Sequence, residues 1–183
     1  MSNLDSIGLE RGIVKLVPHN PDWNILFEAE EDLIRNTFGD IIIEIEHIGS
    51  TAIPGIPAKP IIDIDVGVKS LDDALKMQEG FKEIGYEYRP QEIAHEGQRW
   101  QELYVKGPEK KRDFYVHVTV YNSDHWKNDL LFRDFLGKNP SYAQEYASLK
   151  ERLAKKYASN RYDYTEVKSE FIDKVLRLAR IRK

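Results

Sequence analysis

HIGSTAIPGIPAKPIIDIDVGV, residues 47–68, decides how the rest of the chain is read. It holds a turn, Gly49-Ser50-Thr51, then a connector that Pro54, Gly55, Pro57 and Pro60 keep out of regular structure, then a strand. In that strand Ile62, Ile64, Val66 and Val68 alternate with Ile61, Asp63, Asp65 and Gly67, so both aspartates leave the same face, about 6.6–6.8 Å apart along the chain. Aspartate is depleted in strands, and the opposite face is wholly apolar. The bland reading is a half-buried strand with a solvated acidic face. The functional reading is a carboxylate pair for a divalent cation, which takes its remaining ligands from phosphates and water. Gly49 lets the backbone approach a ligand, and the amides and hydroxyls of residues 49–51 can hold phosphate oxygens. Alone that turn is ordinary; its placement 12 residues before Asp63 gives it weight, and Lys59 lies between them. A phosphate turn followed by a carboxylate pair is a way to hold a nucleoside triphosphate.

Outward from this stretch, residues 1–11 read as loose and 13–17 as a short strand. Asn20-Pro21 starts a helix over 22–38, with Trp23, Leu26, Phe27 and Leu33 on its apolar side and Gly39 at its end. Strands follow at 41–48 and 61–68, then a helix over 71–84. Further strands fall at 86–88, 100–105 and 114–121, the last two joined by a turn at Gly107-Pro108. The cations Lys106, Lys110, Lys111 and Arg112 around that turn read as a solvated hairpin tip. Helices occupy 124–136 and, from Asn139-Pro140, the stretch to about 157. A third, capped by Thr165, reaches about 181. Tyr142, Tyr146, Leu149 and Leu153 form one apolar stripe, and Val167, Phe171, Val175 and Leu178 another. Strands first and helices last predict an α+β fold with a mixed sheet.

The chain has 183 residues, 41% hydrophobic and 32% charged. A chain of this size buries roughly 70% of its unfolded surface. One domain over 1–183 is expected, with a strand-rich core at about 13–121 and a helical region at about 123–182. No apolar run approaches the ~20 residues that span a bilayer, and the first residues do not resemble a secretory signal. There are no cysteines, which removes disulfides and thiolate chemistry and suits a cytoplasmic protein. The net charge of −4 argues against a nucleic-acid partner. It also means that any triphosphate must find local cations.

Phosphoryl and nucleotidyl transfer depend mostly on positioning and charge neutralisation. Two-metal sites of this kind commonly use a third acid on a neighbouring strand. The strand at 114–121 offers His117 instead, a residue that suits zinc or manganese better than magnesium. Asp113 shares that face but lies about 13 Å away along the strand, too far for one metal shell. His19, His95 and His125 stay unassigned.

These residues resemble the GrpB family of the nucleotidyltransferase-like superfamily. The resemblance is carried by VPHNPDW at 17–23, HIGSTAIPGIPAKPIIDIDV at 47–66 and VHVTV at 116–120. It continues with LFRDFL at 131–136, NPSYAQEYASLKERLAKKY at 139–157 and NRYDYTEVKSEFI at 160–172. It implies a nucleotidyltransferase-like α+β core with a helical C-terminal part. It also implies His47, Gly49, Ser50, Lys59, Asp63, Asp65, His117, Arg133, Lys150 and Lys168 as positions of interest. The resulting expectation assigns Asp63, Asp65 and His117 to catalysis and to a metal, Mg2+ or Mn2+ ahead of Zn2+. It assigns Gly49, Ser50, Thr51, Lys59, Arg133, Lys150 and Lys168 to the nucleotide and its phosphates. As surface charges on helices the last three have a bland reading, but Lys150 and Lys168 sit beside apolar stripes and can face a shared cleft. The chain departs from the family pattern at Asn160, where an acid is common, at Gly137, near which a basic residue is common, and at Asn139, in place of a histidine. Some family members are fused to an enzyme of coenzyme A synthesis. The expected activity is metal-dependent nucleotidyl transfer from an NTP to a small-molecule or protein acceptor. The alternative is a nucleotide-binding module without turnover, favoured by the absence of a third acid on the strand of His117.

Overall fold

The computed structural model describes residues 6–90, 100–108 and 110–181. Its strands are β1 (Leu9–Glu10), β2 (Glu44–Ile48), β3 (Ile62–Val68), β4 (Tyr86–Tyr88), β5 (Gln101–Lys106), β6 (Lys111–Arg112) and β7 (Phe114–Val120). Five of them form a mixed sheet in the order β2-β3-β7-β5-β4. The β3–β7 pair is parallel and the other pairs are antiparallel. The helices are α1 (Asp22–Phe38), α2 (Leu71–Lys76), α3 (Gln78–Glu83), α4 (Asp124–Lys138), α5 (Pro140–Lys156), α6 (Arg161–Glu166) and α7 (Ser169–Ile181). This is the α+β architecture with a mixed sheet that the pattern of elements predicts. No helix among the described residues is long and apolar enough to cross a membrane.

The central strand β3 carries the fold. Ile62, Ile64, Val66 and Val68 are fully buried and pack in one cluster with Trp23, Ile34, Met77 and Phe81 from the helices on that side. Burying a large aliphatic side chain is worth about 1.5–3 kcal/mol, so this face anchors the strand. The other face bears Asp63, Asp65 and Gly67. A Cβ on Gly67 would lie 3.0 Å from both Trp126 and Tyr121, so the missing side chain there lets α4 settle onto the sheet.

Several elements differ from the sequence pattern. Residues 13–17 form one bridge, Val17 with Ala58, rather than a strand. Their neighbours are loops, as in the Val14 N–H bond to the Ala158 carbonyl, so no ladder can extend. Residues 6–11 are not loose: Ile7 and Leu9 are buried and β1 pairs with β6. On α1 the buried residues include Trp23, Leu26, Glu30 and Ile34, while Leu33 is 36% exposed; the helical period carries the buried face from 26 through 30 to 34. The stretch 71–84 is two helices, broken at Met77. The hairpin tip is only partly solvated. Arg112 is buried and pairs with Glu87 at 3.2 Å, and Lys106 pairs with Glu30 at 2.6 Å. His95 lies outside the described residues.

The third C-terminal helix is also broken. Asn160, not Thr165, caps α6 by accepting from the Asp163 amide at 3.2 Å. A separate α7 starts at Ser169. Val167 at the break is 42% exposed, whereas Phe171 and Val175 are buried.

Phe81 is fully buried and stacks on Tyr104 at 4.2 Å. Truncating Phe81→Ala is expected to lower stability by about 3–5 kcal/mol, measured by denaturant unfolding monitored by circular dichroism.

Candidate functional site

The aspartate face of β3 is the floor of the site. Sheet register sets Asp65 between Glu46 of β2 and His117 of β7, and Asp63 beside Tyr115 of β7. Asp65 is fully buried. Its Oδ1 accepts from the Thr119 hydroxyl at 2.7 Å, and its Oδ2 is buried with no hydrogen-bond partner. Burial raises its pKa to about 7, with Thr119 and His117 pulling the other way and Asp129 and Glu46 adding to the rise. Asp63 is half-buried, and its Oδ1 lies 3.9 Å from His117 Nε2. Burial opposes charge on His117, yet Asp63, Asp65 and Asp129 together hold its pKa above the usual value.

A cavity of about 270 Å³ opens at the Asp63 end of this floor; Asp65 and His117 lie beneath it and are not among its lining residues. Its lining includes Gly49, Ser50, Thr51 and Asp63 together with Lys59, Lys150 and Lys168, with Tyr146 and Tyr164 among the aromatic residues. Gly49 has φ +69°, and a Cβ there would lie 2.6 Å from Asp63 Oδ2. The turn and the first aspartate therefore touch because residue 49 is glycine.

The cationic wall comes from three separate segments. Lys150 of α5 is 1% exposed, and its Nζ donates to the Pro57 carbonyl at 2.5 Å and lies 4.7 Å from the Tyr146 ring centroid. Burial, reinforced by Lys168 and Lys59, lowers its pKa to about 7. Lys168 stands at the break between α6 and α7, its Nζ 4.5 Å from the Tyr164 centroid, and Lys59 approaches the same ring at 5.7 Å.

Not every residue singled out from the sequence reaches the cavity. The Arg133 guanidinium bonds Glu46 at 2.6 Å, the His47 carbonyl at 2.9 Å and Asp134 at 2.8 Å, so it ties α4 to β2. His47 is buried on the other face of β2, stacked on Phe27 at 4.8 Å, and its Nε2 meets the Thr51 hydroxyl at 3.0 Å. Burial lowers its pKa to about 4 against the pull of Asp63. A histidine kept neutral there braces the turn rather than serving as an acid or base.

Two residues of the site escaped the sequence reading. Asp129 lines the cavity from α4, and burial raises its pKa despite the nearby His117 and His125. It follows the buried anchor Trp126 by three residues, a spacing that puts both on one side of the helix. Only the docking of Trp126 over Gly67 turns that side toward the sheet. The other is Gln101, whose Oε1 lies 2.7 Å from His117 Nδ1.

The oxygen set suits a hard cation, and Asp65 Oδ2, desolvated without a partner, is the atom such an ion would satisfy. Among the described residues, no group of three or more His, Asp and Glu side chains is arranged to hold a metal by itself. Asp63 and Asp65 are the side chains that could hold such an ion.

A family model described as GrpB protein matches residues 13–178. The Glutamate-rich protein GrpB of Alkalihalophilus pseudofirmus is 39% identical over 171 residues, covering 93% of this chain and 98% of that protein. The crystal structure of the conserved protein GrpB from Enterococcus faecalis superposes with a TM-score of 0.79 at 32% identity, covering 90% of this chain and 96% of that one. A dephospho-CoA kinase of Mycolicibacterium paratuberculosis is 28% identical over 201 residues, which is 97% of this chain but 48% of the kinase.

Substituting Gly49→Ala forces a side chain onto Asp63 at a left-handed backbone position. A loss of roughly 1–3 kcal/mol is expected, measured by thermal or denaturant unfolding. Lys150 gives a pH signature. Its folded pKa of about 7 lies below its ordinary 10.5, so between these values the unfolded chain binds more protons and this group makes stability rise with pH. Relative to the wild type, Lys150→Met should gain most below pH 7, and the gain should shrink as pH rises toward 10.5, measured as the difference between two pH–stability curves.

Proposed function

The chain belongs to the GrpB family, and we propose that its cavity binds a nucleoside triphosphate together with Mg2+ or Mn2+ and serves nucleotidyl transfer to a small-molecule or protein acceptor. The observation that carries this reading is the charge pattern of one cavity, whose lining combines the carboxylates Asp63 and Asp129, the lysines Lys59, Lys150 and Lys168, and the Gly49–Thr51 turn. A ligand with a metal-associated phosphate and further anionic phosphates answers the carboxylates and the lysines at once.

In this reading Asp63 and Asp65 anchor the cation. A bound divalent ion would neutralise charge on the transferred phosphoryl group and on the leaving oxygens. The backbone of Gly49 and the Ser50 hydroxyl orient phosphate oxygens. The lysines offset the charge of the terminal phosphates, and Tyr146 and Tyr164 hold those lysines in a water-poor wall. Arg133 acts at one remove, by fixing α4 and with it Asp129. His117 faces Asp63 from the far side of the carboxylates and is the group placed to handle an acceptor proton.

A non-catalytic module rests on the lack of a third acid on β7. Asp129 brings a further acid to the cavity from a helix, which supports the transferase reading, although it forms no three-residue metal group with Asp63 and Asp65 among the described residues. The kinase relatives do not extend the reading to phosphorylation of a coenzyme. The chain spans about half the length of the relative from Mycolicibacterium, and its sequence contains no GxxxxGK[ST] phosphate loop.

The test is Asp63→Asn combined with Asp65→Asn. The wild type should be stabilised by about 2.7 kcal/mol when Mg2+–NTP is present at 100 times its dissociation constant, and the double variant should lose that gain. Equal stabilisation of both proteins would remove the site assignment. Transfer of labelled nucleotide, screened across acceptors and dependent on Asp63, separates transferase from module.

A further inference from the structure

The two ring nitrogens of His117 meet different surroundings. Nε2 faces Asp63 Oδ1 at 3.9 Å. Nδ1 lies 2.7 Å from Oε1 of Gln101. Gln101 opens β5, directly across from Thr119, and is 5% exposed. Thr119 in turn donates to Asp65 Oδ1. The amide therefore belongs to a buried polar row under the carboxylates, not to the solvated rim.

An amide oxygen accepts hydrogen bonds and donates none. At 2.7 Å it requires the hydrogen on Nδ1. A histidine without a partner at that nitrogen populates both tautomers, whereas one held there has a single free nitrogen. We propose that Gln101 is a positioning residue: it fixes His117 with the hydrogen on Nδ1, so that Nε2 alone faces the Asp63 side to exchange a proton or meet a ligand. The use made of Nε2 rests on the nucleotide reading above; the orientation of the ring does not. Elsewhere in proteins, partners that orient a ligating histidine alter affinity or activity by about 10–100-fold when removed.

The experiment is long-range proton–nitrogen NMR on protein labelled with 15N-histidine, at a pH where the ring is neutral. His117→Asn identifies the signals of His117. The wild type should show the hydrogen on Nδ1. Gln101→Leu should lose that preference, and Gln101→Glu, which keeps an acceptor oxygen, should restore it. Mn2+–NTP affinity, measured by paramagnetic resonance of the manganese, should fall about 10–100-fold in Gln101→Leu. A wild-type ring with its hydrogen on Nε2 overturns the proposal, and so does a tautomer unchanged in Gln101→Leu. A switched tautomer with unchanged affinity also overturns the positioning role. If Gln101→Leu does not fold, the wild type and Gln101→Glu decide the orientation. If the wild type binds no nucleotide, the nucleotide reading falls and the nitrogen spectra still decide whether Gln101 holds the ring.

Discussion

Ile53 and Ile56, in a connector that holds one short 3-10 turn (Ser50–Ala52) before β3, are 0% and 3% exposed and lie in one cluster with Phe135, Tyr146 and Phe171 of the C-terminal helices. Burial of the two is worth about 1.5–3 kcal/mol each. The rest of the site depends on this anchoring, because the connector begins at the Gly49 turn and ends at β3. Seating its middle among the helices fixes the turn and the carboxylates relative to the lysines. The Lys150 bond to the Pro57 carbonyl makes the same connection with a polar group. The sheet gives the cavity Asp63, the helical region from α4 to α7 gives most of the lining, and the connector, which itself adds Gly49, Ser50, Thr51 and Lys59, joins the two.

Lys150 of the helices and Asp65 of the sheet are held in electrostatically unfavourable states of opposite sign. Lys150 is buried against a carbonyl and an aromatic ring, with no carboxylate in ion-pair contact among the described residues. Asp65 is buried with one oxygen bonded and one not. Burying a charge without a partner costs free energy, and the cost appears as a pKa moved toward neutrality. Both groups are moved that way, to about 7 from opposite directions. Arg133 shows the contrast: equally central in sequence, it has Glu46 and Asp134 as partners and keeps its charge. Local rules are broken at Lys150 and Asp65, where a ligand can compensate, and kept at Arg133, where the fold does.

The legibility of the sequence follows the range of the forces involved. Asn20-Pro21 announces α1 because capping is local: Asn20 Oδ1 accepts from the Asp22 amide at 3.0 Å. The alternation over 62–68 announces β3 because period two is a property of the backbone. The aspartate pair is legible for the same reason. What failed were features set by neighbours distant in sequence. Leu33 and Ile34 are equally apolar, and only packing against β3 chooses Ile34. The apolar spacing across residues 165–181 permits one helix, and only capping by Asn160 and the chain break at Lys168 divide it. His47 and His117 sit on β2 and β7, the two strands that flank β3, yet one braces a turn and the other faces Asp63.

The sequence by itself determined the α+β class, the polar face of β3, the place of the Gly49–Thr51 turn and the family. These rest on backbone periodicity and on residue types at fixed spacing. The tertiary structure alone decided which charges share a cavity. Asp129 enters because Gly67 leaves room for Trp126 and so for α4. Lys150 and Lys168 enter because the connector isoleucines pack with α5 and α7, the helices that carry and follow these lysines. Gln101 enters because the register of β5 against β7 places it beside His117. Each of these is a juxtaposition of segments far apart in the chain, fixed by packing that no local pattern encodes.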